Sequence, residues 1–206
     1  FGGRIIRRRG IGNEWRRYQK PLFPSDPYQI PLMAPETPKA YEGWRVYYDR
    51  RVMSILDSIE AFHVELCVLA GYMLIVSHEM CRKYKMINLH PAPPGGPAGI
   101  WQDVIWKLIE GRAECSGVKM HLVTPELDLG PTVTYCTFPI QGKPFQEHWQ
   151  EAERAPLEVI KREQGEGFPL FRLLRREGVK RELPLVVSTI KAFSQGRVKI
   201  DGGRIV

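Results

Sequence analysis

Cysteine is scarce and unpatterned in this chain of 206 residues: Cys67, Cys81, Cys115 and Cys136 are the only four, and none forms a Cys-x-x-Cys pair. That spacing excludes a disulfide-built scaffold and a thiolate zinc site, and it predicts a reducing, cytoplasmic compartment, with three of the thiols in or next to core elements. The histidines are equally dispersed. His63, His78 and His148 stand alone in separate loops or helix ends, so no metal site is expected. No apolar run approaches the ~20 residues of a membrane helix, so no membrane partner is expected, and Phe1-Gly2-Gly3-Arg4 lacks the apolar core of a signal peptide. Internal repeats and low-complexity tracts are also missing, which excludes a solenoid.

The content that remains, 43% apolar, is enough for one substantial core. The formal charge of +7 is uneven, because residues 1–20 hold six arginines and one lysine against a single glutamate. Such an arm either binds an anionic partner, nucleic acid included, or is a solvated tail. A Pro-rich stretch from Lys20 to Pro38 resists helix. The chain therefore divides into an atypical basic and Pro-rich segment, 1–40, and a folded domain, 41–206, with a homo-oligomer as an open option.

Within that domain the spacing of Trp44, Tyr48, Val52, Ile55, Leu56 and Ile59 predicts a helix over 41–61. Glu65 to Met73 reads as a central parallel strand. Ser77 caps a short helix, 78–84. Residues 85–90 read as a strand, and 99–111 as a helix with Ile100, Val104, Ile105, Leu108 and Ile109 on its buried stripe. Strands follow at 117–123 and 132–138, then helical segments at 145–163 and 168–195, broken near residues 165–167 and at Pro184. The end reads as a hairpin turning at Asp201-Gly202 or Gly202-Gly203.

The chemistry-bearing residues concentrate in two places. Successive strand side chains alternate faces, so Asn88 and His90 point the same way, and Pro91 ends the strand. Asp128 lies in the Gly- and Pro-punctuated loop Pro125-Glu126-Leu127-Asp128-Leu129-Gly130-Pro131. An amide, an imidazole and a carboxylate suit acyl transfer to an amine. Asn and His N–H groups stabilise the oxyanion, and an imidazole with a reference pKa of about 6.5 exchanges protons near neutrality. The carboxylate orients the ring, collects the amine's proton and is expected to raise the His90 pKa. His121, on the strand before the Asp128 loop, reads as a packed structural histidine.

Asn88-Leu89-His90-Pro91, Gly117-Val118-Lys119-Met120-His121 and Asp128-Leu129-Gly130-Pro131, in this order, resemble the folate-dependent formyltransferase superfamily, of which the glycinamide ribonucleotide formyltransferases are one branch. The resemblance runs from Tyr41 to Val206 and is most specific between Leu66 and Pro131. It implies an α/β fold, an open, mostly parallel sheet with flanking helices. It also implies transfer of a formyl group from 10-formyltetrahydrofolate to an amine, on glycinamide ribonucleotide or another phosphorylated or nucleotide-linked acceptor. Asn88, His90 and Asp128 then stand at the catalytic positions. The pterin pocket is implied at Met73, Leu74, Val76, Val123 and Leu127, with Leu74 where those relatives usually carry Arg. Two alternatives stay open: hydrolysis of the same donor, or a folate-binding module without turnover.

Two features depart from the family pattern. After His90-Pro91 the chain reads Ala92-Pro93-Pro94-Gly95-Gly96-Pro97-Ala98-Gly99 where the family usually has Ser-Leu-Leu-Pro. Gly10-Ile11-Gly12-Asn13 is flanked by Arg7-Arg8-Arg9 rather than by an apolar strand, so no phosphate loop is expected there. The amino-terminal half is expected to be truncated, replaced or supplied by another chain.

Overall fold

A computed structural model describes residues 38–58, 64–72 and 74–206. The basic arm, the Gly10–Asn13 stretch, the Pro-rich segment through residue 37, Ile59, His63 and Met73 lie outside the described residues. Asp49–Val206 forms one compact unit. Helix α1 (Pro38–Asp57) leads into it.

Four strands form one sheet in the order β1 (Cys67–Leu69), β2 (Met86–His90), β3 (Cys115–Leu122) and β4 (Thr132–Pro139). The sheet is α/β, open and flanked by helices, as expected. It is mixed rather than mostly parallel among the described strands. β1 and β2 are parallel, with Val68 opposite Ile87, while β2–β3 and β3–β4 are antiparallel. The cause at β4 is the connection: Val123 to Pro131 holds no helix, and a parallel return needs a crossover. β1 is also an edge among the described strands, not a centre.

Alternation along β2 and β3 sorts the two faces. Ile87, Val118, Met120 and Leu122 are buried on one side with Leu185 and Ile200. Leu185 belongs to the long helix α6 (Pro169–Ser194), whose first half enters a second cluster. There Phe168, Leu170 and Phe171 meet Ile105 and Ile109 of α3 (Trp101–Glu110), Trp149 of α4 (Gln146–Ala152) and Ile160 of α5 (Leu157–Gln164). The Trp149 indole N–H donates to the buried Ile140 carbonyl at 2.5 Å. A third cluster joins Met53 of α1, Val76, Met86 and Met80 of α2 (His78–Lys83).

Local signals explain most boundaries. The Ser77 hydroxyl accepts the Met80 N–H at 3.4 Å and starts α2. Ile100, expected on the buried stripe of α3, is the residue before the helix and is 50% exposed. The single helix expected over 145–163 is two, because Pro156 cannot extend α4 and instead leads into α5. Pro184 does not interrupt α6, since buried residues on both sides of it, Leu174 and Leu185, hold the helix in place through the one lost hydrogen bond. The terminal hairpin turns on Gly202 and Gly203, both at positive φ, the requirement of a two-residue type I′ loop between β5 (Ile200–Asp201) and β6 (Arg204–Ile205). Among the described residues, no helix is long and apolar enough to cross a membrane.

Candidate active site

The face of β2 and β3 opposite the Leu185 cluster is polar. Antiparallel register sets Asn88 directly across from His121 and His90 across from Lys119, which gathers four polar side chains on one patch of sheet. Three of them, His90, His121 and Lys119, are nearly inaccessible. Buried polar groups of this kind are costly unless partnered, and each of these has a partner.

Asp128 supplies much of the partnering. Its carboxylate lies 3.5 Å from His90 Nδ1 through Oδ2 and 3.5 Å from His121 Nε2 through Oδ1. The Gly99 amide donates to Oδ2 at 3.1 Å, and the Lys119 ammonium donates to the Asp128 carbonyl at 3.1 Å. These contacts hold Asp128 in a left-handed backbone conformation, φ 58°, that a non-glycine residue adopts at a cost. Asn88 Nδ2 is 3.4 Å from His121 Nε2. His121 Nδ1–H donates to the Leu122 carbonyl at 3.0 Å, so the ring is pinned by its own strand and turns Nε2 toward Asn88 and Asp128.

The His90 ring is capped by the loop that departs from the family pattern. Its Nε2–H donates to the Pro97 carbonyl at 2.8 Å, which in the neutral ring leaves the Nδ1 lone pair facing Asp128. Gly117 lets this loop lie flat: a Cβ there would stand 3.3 Å from Pro93 and only 2.6 Å from the Cys136 carbonyl oxygen.

The expected rise in the His90 pKa is reversed. Burial pushes it below its ordinary value of 6.5, and the Lys119 ammonium and the second imidazole add to the fall. The Pro97 carbonyl and the Asp128 carboxylate pull upward and are outweighed. For Asp128 burial acts to raise the pKa, but the His121 hydrogen bond, the Gly99 amide and the nearby imidazoles together hold it below the usual carboxylate value. Lys119 is lowered by burial against the pull of Asp128. The cluster thus presents a neutral imidazole beside an ionised carboxylate at neutral pH.

The structure brings Asn88, His90 and Asp128 together and adds His121 and Lys119. Lys119 was missed by sequence reasoning, although its place two residues before His121 in a period-2 strand put it on the same face. Of the residues expected to line a pterin pocket, Val76 and Val123 meet in the Met53–Met86 cluster, with Leu69 and Tyr72 beside them. Leu74 is half-buried, Leu127 is 51% exposed on the Asp128 loop, and Met73 lies outside the described residues. The cysteines are free; the Cys81 thiol is pushed up to about 11 by burial and the nearby Asp49 carboxylate, which suits a packing role. Among the described residues, no group of three or more His, Cys, Asp or Glu side chains is placed to hold a metal ion.

A model of the family described as "Formyl transferase" matches residues 35–155, more than half the chain and the whole of this polar patch. The chain belongs to the formyl transferase family. Among curated relatives, the phosphoribosylglycinamide formyltransferase of Bacillus subtilis is 29% identical over 111 residues, covering 53% of this chain and 53% of the relative. That of Escherichia coli is 30% identical over 98 residues, 47% of this chain and 44% of the relative. The chain spans about half the length of the curated relatives it matches. Among solved structures, glycinamide ribonucleotide transformylase 1 from Symbiobacterium toebii superposes with a TM-score of 0.55 at 23% identity, over 78% of this chain and 63% of that one. That likeness shows the formyltransferase fold.

Proposed function

We propose that this formyltransferase-family chain transfers a formyl group from 10-formyltetrahydrofolate to the amine of glycinamide ribonucleotide. One observation carries the reading: Asn88 and His90 share one face of β2, and the Asp128 carboxylate comes to 3.5 Å from His90 on that side. The donor brings the formyl carbon and departs as tetrahydrofolate. The family resemblance puts the pterin beside Val76 and Val123, which pack together in the Met53–Met86 cluster, and beside Leu74 and Leu127.

The roles follow from charge and geometry. As the amine nitrogen bonds to the formyl carbon, the carbonyl electron pair moves onto oxygen, and the Asn88 amide and the His90 N–H stabilise that oxyanion. His90 Nε2–H becomes available when it leaves the Pro97 carbonyl. The proton shed by the amine passes toward the Asp128 carboxylate, which is ionised and lies 3.5 Å from His90 Nδ1. As the carbon–nitrogen bond to the folate breaks, the electron pair goes to that nitrogen, which takes up a proton. Lys119 and Gly99 keep the Asp128 loop in position.

Incubation of the full chain with ¹³C-formyl donor and glycinamide ribonucleotide, followed by mass spectrometry, tests this. The expected product is the ¹³C-formylated ribonucleotide in amounts equal to tetrahydrofolate. Labelled formate with unchanged ribonucleotide would replace transfer by hydrolysis, and an intact donor would refute both.

A further inference from the structure

A second basic feature lies outside the polar patch. An open cavity of about 530 Å³, within the usual size range of small-molecule sites, is bounded by the amino-terminal parts of α3 and α6. Most of its lining follows residue 155, beyond the part of the chain that the family model matches. Arg172, Arg175 and Arg176 stand at i, i+3 and i+4 on α6 and so share a face of the helix. All three line the cavity, with His148 and one carboxylate, Glu166.

The arginines differ in what already holds them. Arg175 lies 4.7 Å over the Trp101 ring and pairs with Glu182, so its plane is fixed against an aromatic floor. Arg172 forms no ion pair among the described residues. The nearest carboxylate to Arg176 is Glu177 at 3.9 Å, and Arg176 is 67% exposed. Two guanidinium groups thus carry free donor forks beside a third that is held in place. Glu166 is engaged by the Gln102 side chain at 3.3 Å. Pro169, the first residue of the 26-residue α6, also lines the cavity, so the positive end of the helix dipole adds to the charge.

We propose that this cavity binds the phosphate group of a phosphorylated small molecule. A dianionic, multi-oxygen group is the chemistry that several guanidinium forks recognise with two bonds each. The cavity is joined to the polar patch through a short piece of backbone. Gly99 donates to Asp128, and Trp101 is two residues further on, a backbone reach of at most about 7 Å. The phosphate is either part of the amine acceptor, in which case the site deepens the formyl-transfer reading and rests on it, or it belongs to a free phosphate compound.

Calorimetric titration of the full chain with inorganic pyrophosphate and, separately, with glycinamide ribonucleotide tests the site, with the Trp101 indole N–H followed by NMR. Saturable pyrophosphate binding that shifts the Trp101 resonance is expected. It should weaken at least about ten-fold in Arg172→Gln/Arg176→Gln and stay unchanged in Arg197→Gln, which removes a charge outside the cavity, and in His90→Ala. Ribonucleotide binding that is competed by pyrophosphate and weakened in the same double variant assigns the phosphate to the acceptor. Ribonucleotide binding indifferent to both, with pyrophosphate still sensitive, assigns it to a free phosphate compound. Equal affinities of the wild type and a folded double variant for both probes, or no saturable binding of either at millimolar concentration, would overturn the proposal. Survival of pyrophosphate binding in His90→Ala keeps this result separate from any failure of formyl transfer.

Discussion

Gly130→Ala should damage the site and the fold together, for a reason visible in the backbone alone. Gly130 is buried beside Leu122 at the end of β3, and an added Cβ would overlap the Leu122 carbonyl oxygen and stand 2.9 Å from its carbon. Thr124 Cγ2, 3.2 Å away on another side, blocks an easy retreat. The Leu122 carbonyl also anchors His121 Nδ1, and the Leu122 N–H donates to Pro131 at 2.8 Å. Relief therefore requires a shift on the order of 1 Å in the segment that carries Asp128, a misplacement that can cost about 100-fold in rate. Overpacking costs roughly 1–3 kcal/mol, and one or two weakened hydrogen bonds add about 1 kcal/mol each. Urea denaturation should show a lower midpoint at unchanged slope, and single-turnover formyl transfer should slow by about two orders of magnitude. Gly178→Ala supplies the contrast, because that glycine is helical with open space at its Cβ and the change should stabilise by about 0.4–1 kcal/mol. A Gly130→Ala variant with wild-type midpoint and a rate within a few-fold would refute the reasoning.

Lys119→Met removes a cation that lowers the His90 pKa, whereas Asp128→Asn removes an anion that raises it, so the His90 titration by NMR should move to higher pH in the first and lower pH in the second. Shifts in the same direction would mean these charges do not act on His90. The protein should lose stability in acid through two windows. The His90 pKa is lower folded than unfolded, so its contribution is complete above about 6.5 and fades as pH falls toward the folded value; Asp128 repeats this below about 3.8. Denaturation midpoints that are flat from pH 7 to 5 in the wild type, or fall equally in His90→Ala, would contradict the first window. Phe168→Ala should cost about 3–5 kcal/mol, because a fully buried ring stacked on Trp106 leaves a cavity in the α3–α6 cluster, and a midpoint near wild type would show that the cluster collapses around the loss.

Strand β2 and the Asp128 loop were legible because their signals are local. Alternation put Asn88 and His90 on one face before any partner was known, and glycine and proline marked the turn. The direction of β3 and β4 was not legible, since their apolar pattern fits a parallel or an antiparallel neighbour equally well. Nor was the His90 pKa: a carboxylate is easy to see in sequence, but the burial that overrides it comes from the non-local fold of the Ala92–Gly99 loop over the sheet. Lys119 shares a strand face with His121 in the sequence, but only the register sets it opposite His90. The arginine cavity depends on α3 and α6 meeting, which no spacing within either helix predicts.

The central claim is that His90, beside Asp128, acts on the transition state of formyl transfer. Its most direct test is the single-turnover rate of His90→Ala with 10-formyltetrahydrofolate and glycinamide ribonucleotide, measured beside the donor's binding affinity. The account predicts a rate lower by a factor of about 100 or more, the loss typical of one oxyanion donor, with the affinity changed less than a few-fold. A rate within a few-fold of wild type would contradict it.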